Sequence, residues 1–361
     1  MCNIAGYVGD RRAAPILIEM MKREEGFDAG HYTGIATISE GRIHCAKVVG
    51  DVRRLLETTD AMDLPGNIGV IHGRTPGFGG RSWAHPFLSN DERIACVFNG
   101  SLGNYAGRQD RDYVLERLRG GNVTFDSAEP DDGKSGFGIG DGRMAHTSEA
   151  LTLFARYLMD EEGIPLHKAL ELETKRMPEE IVAVGIDRED PEAISFMRVG
   201  APMNVGRSRT GVYLATSAIA FPDDVTEATS LPPESSGRIT ADDTYVHRFE
   251  MPIPVEKVDP RMLPEMERAL LEVAETGPRP VKFDVLARRI SRFYRPGQSH
   301  QAWRIAYEIV RKWHLEGRLV LAPFTEKYGL FDEPGEIDVV QFGISLKTPP
   351  RAAIAAGEGF W

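Results

Sequence analysis

A cysteine stands second in the chain, in Met1-Cys2-Asn3-Ile4-Ala5-Gly6-Tyr7-Val8-Gly9. Removal of the initiator methionine would leave a thiol and a free α-amine on one residue. An α-amine titrates near pH 8, about two units below lysine, so near neutrality much of it is an unprotonated base. A nucleophile that carries its own base is one of the recognised ways to activate Thr, Ser or Cys. Taken alone, Cys2 is equally well a small residue that happens to follow Met1. The elements that would have to position it, and the motifs further along, decide between the two.

Composition bounds the setting. The chain of 361 residues is long enough for one large domain and a small one, and 42% hydrophobic with 27% charged content is ordinary for a soluble protein. A net charge of −11 argues against a protein that coats nucleic acid with its whole surface. No run of about 18 apolar residues suggests a membrane span, and no secretory leader opens the chain. A cytoplasmic location without a membrane partner is expected. Cys2, Cys45 and Cys96 show neither paired spacing nor a histidine pattern, so no disulfide, metal or cofactor is called for. Cys45 and Cys96 read as small core residues.

Through residue 250 the sequence alternates short apolar runs with glycine. Strands are predicted at Asn3–Val8, Gly34–Ile38, Ile43–Val49, Ile68–His72 and Ile94–Asn99. Others follow at Ile181–Asp187, Ile194–Val199, Val212–Thr216 and Thr244–Phe249. Helical spacing predicts Ala14–Met21 and, behind a Ser/Thr cap, Ser148–Asp160. So many strands with so few helices between them imply antiparallel sheets covered by helices, an α+β fold. The Gly/Asp-rich stretch 126–143 has no phosphate-binding fingerprint and reads as a mobile connection.

Met251-Pro252-Ile253-Pro254 reads as a linker. Helices are predicted at Leu263–Glu275, Phe283–Tyr294 and Ser299–Glu316, followed by the apolar Leu319-Val320-Leu321. Three helices and a ribbon resemble a winged helix. Between Arg279 and Arg318 there are ten Lys/Arg against three Asp/Glu. That basic excess has two accounts: a small helical domain packed on the first or on a second copy, or a surface for an acidic partner such as nucleic acid. The expected division is residues 1–250, a basic helical domain at 255–335, and a tail at 336–361.

Five segments in order resemble the class II glutamine amidotransferases, N-terminal-nucleophile hydrolases that include the glutaminase domain of glucosamine-6-phosphate synthase. They are the opening Cys2–Gly9, Gly30-His31-Tyr32-Thr33-Gly34-Ile35-Ala36, Ile71-His72-Gly73-Arg74, Ala84-His85-Pro86-Phe87 and Val97-Phe98-Asn99-Gly100. Gly200-Ala201-Pro202 and Leu214-Ala215-Thr216-Ser217 resemble two later strand regions. The resemblance implies a four-layer αββα sandwich, with the winged-helix-like domain behind it. It implies that Cys2 attacks the amide carbon of glutamine, forms a glutamyl-thioester and releases ammonia. Asn99 and the N–H of Gly100 would form the oxyanion hole, and Arg74 would grip the α-carboxylate. Outside that context Asn99-Gly100 is a hairpin-turn signal and Arg74 a surface ion pair. His85, ahead of a proline, reads as a structural histidine supporting the site.

The departures from the family pattern concern the amino-acid clamp. Asn3 stands where glycine is usual, and Gly77 and Phe78 replace a Thr and a His of the class. Thr147, in His146-Thr147-Ser148-Glu149, stands where an Asp binds the substrate ammonium. Glu149 or Asp28 could replace that carboxylate. After residue 250 there is no phosphate loop, flavin fingerprint or sugar-isomerase motif, so a separate synthase subunit is expected to receive the ammonia. The alternatives are hydrolysis of a different amide, or a non-catalytic regulatory or nucleic-acid-binding protein on the same scaffold.

Overall fold

A computed structural model describes residues 2–101, 107–121, 123–133, 136–178, 180–251, 259–277, 279–294, 302–330 and 335–347. The chain opens with β1 (Asn3–Gly9), α1 (Ala13–Glu24), β2 (Tyr32–Ser39), β3 (Arg42–Val49), α2 (Val52–Thr58) and β4 (Ile68–Arg74). Next come β5 (Phe87–Leu88), β6 (Ile94–Ser101), α3 (Arg108–Gly120), β7 (Glu129–Pro130), β8 (Phe137–Gly138) and β9 (Arg143–Ala145). Then follow α4 (Thr147–Glu162), α5 (Leu166–Arg176), β10 (Glu180–Asp187), β11 (Asp190–Arg198), β12 (Asn204–Ser208) and β13 (Gly211–Ala215). The first unit ends with β14 (Glu227–Ser230), β15 (Ser235–Ile239) and β16 (Thr244–Arg248). Beyond it lie α6 (Leu263–Thr276), α7 (Phe283–Ser291), α8 (Ala302–Leu315), β17 (Leu319–Gly329) and β18 (Glu336–Leu346).

Two antiparallel sheets form the centre. One has the order β14-β12-β13-β1-β4-β2-β3, the other β16-β15-β11-β10-β6-β5. Antiparallel sheets commonly leave one face to water. Here β1 is buried along its whole length, and its alternate residues enter two different cores. Ala5 and Tyr7 pack with Ala14 and Leu17 of α1, whereas Ile4 and Val8 meet Val97, Val184 and Phe196 of the other sheet. In β6 the period-two alternation runs the other way out: Val97 faces the first sheet, and Cys96 and Phe98 face α4 and α5. The layers are therefore helix, sheet, sheet, helix, in the order expected. Cys96 is a wholly buried core residue, and Cys45 lies at the edge of the inter-sheet core.

Some predicted boundaries change. The connection at 126–143 holds β7 and β8 and the start of β9, which form the sheet β7-β9-β8, and Phe137 and Ile139 are buried in it. Residues 336–346 are not a tail: they are β18, paired with β17 from Leu319↔Leu346 to Gly329↔Glu336. Alternate Ile337, Val339 and Gln341 are buried there, as the sheet period requires. Pro252 to Pro254 of the expected linker, and the chain from 348 onward, lie outside the described residues. Among the described residues no helix is long and apolar enough to cross a membrane.

The second unit does not stand apart from the first. Phe27, from the turn after α1, sits in its core, with the rings of Phe283, Tyr307 and Phe342 at 5.9, 5.8 and 5.1 Å. The basic excess of 279–318 is offset by carboxylates from neighbouring elements. Lys282 pairs with Glu326, Arg289 with Glu272 and Lys312 with Glu267.

Candidate active site

The chain start and the ends of β4 and β6 converge on a cavity of about 320 Å³. Cys2, Arg74, His85, Asn99, Gly100 and Thr147 all border it. Strand pairing brings them together: Asn3 opposes Gly73 on β4, which carries His72 and Arg74 alongside the start of β1. Asn99 does not form a turn; it lies inside β6 opposite Val182. Its side-chain Nδ2 donates to the Cys2 carbonyl at 2.6 Å. That bond engages one amide hydrogen and leaves the other free of it.

Cys2 is partly buried, with Sγ 3.7 Å from Thr75 Oγ1. Burial alone raises a thiol's pKa, but here the neighbouring His72, the N-terminal charge and the Thr75 N–H together outweigh it, and the thiol is lowered to about 6. In the sequence His72 is only one member of a motif. Its Nε2 lies 2.9 Å from the Phe98 carbonyl. A carbonyl only accepts, so Nε2 is the donor in that bond. Nδ1 is buried and has no hydrogen-bond partner among the described residues. The His85 ring covers that of His72 at a centroid distance of 3.9 Å. Burial, with the nearby cations Arg74 and Lys47 adding to it, holds His85 far below the usual histidine range, so it stays neutral.

These shifts have a measurable consequence. Alkylation of Cys2 by iodoacetamide, followed by peptide mass, is expected to reach half its maximum rate near pH 6. In His72→Phe the largest opposition to burial is gone, leaving only the N-terminal charge and the Thr75 N–H, and the midpoint moves up. An unchanged midpoint in that variant would remove His72 from the account.

Arg74 is partly buried. It stacks over Tyr32 at 4.5 Å and donates to the carbonyls of Phe78 and Trp83 at 3.2 and 3.5 Å. A Cβ on Gly77 would come within 2.4 Å of its Nη2, so the glycine in place of the family threonine makes room for the guanidinium. The Tyr32 hydroxyl lies 2.8 and 2.7 Å from the carbonyls of Gly77 and Gly79, fixing the same loop. Among the described residues no carboxylate pairs with Arg74.

The far wall is the N-terminus of α4. His146 caps it, its Nδ1 accepting from the Ser148 N–H at 3.1 Å. Burial, with the charge of Arg74 adding to it, keeps His146 neutral and so able to accept. Thr147 and Ser148 border the cavity. Glu149 does not, and neither does Asp28. The Glu149 carboxylate accepts from the N–H of Asp126 at 2.7 Å and of Ser127 at 3.1 Å, and from the Ser127 hydroxyl, on the other side of the helix start. Trp83 is a cavity residue that no sequence motif contained, while His146 and Ser148 stood in the Thr147 motif without a role assigned to them. Among the described residues no group of three or more His, Cys, Asp or Glu is placed to hold a metal.

A thiol lowered into the neutral range, a side-chain amide beside it and an unpaired guanidinium across the cavity can attack and hold a carboxylate-bearing amide. Together with the two doubly buried sheets, they define the class II, N-terminal-nucleophile glutamine amidotransferases as the class this chain resembles. The particular relatives agree. Glutamine–fructose-6-phosphate aminotransferase (isomerizing) of Bacteroides thetaiotaomicron is 29% identical over 223 residues, 60% of this chain and 32% of the relative. That of Pyrococcus horikoshii is 28% identical over 225 residues, 61% and 33% of the two chains. Over 109 residues the Caldanaerobacter subterraneus enzyme reaches 39%, covering 29% of this chain and 17% of its own. The chain thus spans about a third of the length of the first two relatives. No family model matches it.

Solved structures share the fold. The glutamine phosphoribosylpyrophosphate amidotransferase of B. subtilis, complexed with ADP and GMP, superposes with a TM-score of 0.56 at 14% identity, covering 89% of this chain and 66% of that one. A structure described as the allosteric regulatory enzyme of purine biosynthesis gives 0.55 at 16%, covering 75% and 57%.

Proposed function

We propose that this chain hydrolyses glutamine through Cys2 and passes the ammonia to a synthase partner. The Cys2 thiolate attacks the side-chain amide carbon. Charge that develops on the former carbonyl oxygen is received by Asn99 Nδ2 and the Gly100 N–H. Collapse breaks the C–N bond and releases ammonia, which takes its proton from the base that accepted the thiol's. That base is the Cys2 α-amine or His72 Nδ1. Water then adds to the thioester, giving glutamate and the free thiol. The observation that carries this reading is Arg74, a partly buried cation facing Cys2 with no carboxylate of its own among the described residues.

Thr147 shapes how glutamine is held. Among the described residues no carboxylate borders the cavity, so the substrate ammonium meets only the hydroxyls of Thr147 and Ser148 and backbone carbonyls. The positive end of α4 adds nothing favourable to a cation. Glutamine is therefore held chiefly through its carboxylate. The partner has a docking candidate in the winged-helix-like unit of α6, α7, α8 and the β17–β18 ribbon. Nucleic-acid reading is less favoured, because α8, the helix such a unit would place in a groove, is buried at Ile305, Tyr307, Ile309 and Trp313.

The test is 6-diazo-5-oxo-norleucine, a glutamine analogue that alkylates the attacking nucleophile. Intact mass should show one adduct on a chain lacking Met1, located at Cys2. Thr147→Asp supplies the missing carboxylate, and a charge-assisted hydrogen bond of about 1.5–3 kcal/mol should lower the KM for glutamine roughly ten- to a hundredfold. Retained Met1 would sink the N-terminal nucleophile. Reaction of Cys2 with iodoacetamide but never with the analogue would point to another amide.

A further inference from the structure

Asn3, the residue after the nucleophile, replaces the glycine usual in the class. It is wholly buried, so its side-chain amide needs partners. Nδ2 donates to the Glu24 carbonyl, and Oδ1 accepts from the Tyr307 hydroxyl at 2.5 Å. Tyr307 belongs to α8 of the second unit, more than 300 residues along the chain, and is itself buried. Burial, with the nearby Glu24 carboxyl, raises its pKa far above the usual range, so it remains a phenol and a donor. The Phe27 carbonyl, at 3.2 Å, is the more distant acceptor for the same single proton.

The surroundings lock this bond in place. Phe27 is enclosed by rings of the second unit, and the Phe342 N–H donates to the Gly26 carbonyl at 2.8 Å. A Cβ on Gly26 would lie 2.5 Å from the Phe342 ring, so the close approach needs glycine. From the other side, Tyr328 of β17 packs edge-on against His31 at 4.2 Å. The second unit thus grips the α1–β2 turn, and through Asn3 it reaches the first residue of β1, opposite Gly73 and beside His72.

We propose that Tyr307 is a positioning residue for the nucleophile: through Asn3 the C-terminal unit sets where Cys2 stands relative to His72 and Asn99. This rests on the reading of Cys2 as the nucleophile. Without the phenol, the buried Asn3 oxygen has lost its donor and the amide must turn to find another, taking the start of β1 with it. A displacement near 1 Å at a reacting atom can cost about a hundredfold in rate. A glycine at position 3 has no side chain to satisfy and would free Cys2 from the second unit.

A double-mutant cycle on the full chain tests this with Tyr307→Phe, Asn3→Gly and both together. The readouts are maximal inactivation rate and half-saturation for 6-diazo-5-oxo-norleucine, the pH midpoint of Cys2 alkylation by iodoacetamide, and thermal melting. Tyr307→Phe is expected to lower the maximal inactivation rate at least tenfold, leave half-saturation within about twofold and raise the alkylation midpoint. In the Asn3→Gly background the same change should do less than about threefold. If Tyr307→Phe lowers only the melting temperature, or acts equally in both backgrounds, the proposal is overturned. Should the analogue label no variant while the iodoacetamide midpoint shows the cycle, positioning stands and glutamine falls. If the analogue labels the wild type but the two substitutions show no coupling, glutamine stands and positioning falls.

Discussion

Asn99→Ala is expected to lower kcat for glutamine hydrolysis about 10²–10³-fold, the loss typical of removing one oxyanion-hole donor. KM should change little, because the amide hydrogen at issue meets charge that exists only at the tetrahedral stage. The bond from Nδ2 to the Cys2 carbonyl at 2.6 Å adds a second effect. Losing it frees the backbone of the nucleophile, so iodoacetamide alkylation of Cys2 gives a needed control. If alkylation at pH 8 is near wild type while kcat falls, the loss belongs to the oxyanion. If both fall together, Asn99 acts by holding Cys2. A fall in kcat below tenfold would leave Asn99 outside the chemistry.

Asn99 also shows what was legible in the sequence. Asn-Gly is a hairpin signal, and only its place in an ordered series of motifs argued otherwise. The structure puts both residues inside a central strand opposite Val182 and Ile181, where no turn exists. β1, β2 and β4 were legible because both their faces are buried, which leaves unbroken apolar runs. β14, with four exposed residues, and α3, whose buried face is only Val114, Leu115 and Leu118, left weak patterns. β18 was hidden because its alternation, Ile337 and Val339, breaks at the polar but buried Gln341, and the segment runs on into an Ala/Gly-rich stretch. Glu149 lies two residues from Thr147, and spacing alone could not tell which face of the helix start it serves. The Ser127 loop that claims it is contributed by a distant connection. Asn3 was visible as a departure, but its partner is Tyr307, and no local pattern joins residues so far apart.

These contacts change the meaning of the second unit. Its basic excess suggested a free surface, yet Glu326, Glu272 and Glu267 take up three of its cations. Its apolar face, meanwhile, closes over Phe27. Two departures from the family pattern meet at the same site: Thr147 stands on one wall of the cavity, and Asn3 is tied to Tyr307 behind Cys2. On the proposed function, the hold on glutamine would then fall chiefly to Arg74.

Arg74→Ala should therefore be the most damaging change to binding. Truncating one partner of a desolvated charge pair costs about 2–4 kcal/mol, roughly 30- to 1,000-fold in KM for glutamine, with a smaller change in kcat. The upper part of that range is expected, because among the described residues no carboxylate on the opposite wall pairs with the ammonium to share the load. Arg74→Lys keeps the charge but not the fork, the stacking on Tyr32 or both bonds to Phe78 and Trp83. It should fall between wild type and alanine. Because those bonds also fix the loop at 77–83, melting curves and alkylation of Cys2 at pH 8 must accompany the kinetics. Normal alkylation with a raised KM assigns the loss to the substrate carboxylate. A KM that stays within twofold in Arg74→Ala would mean that glutamine, if it binds here, is not held by its carboxylate.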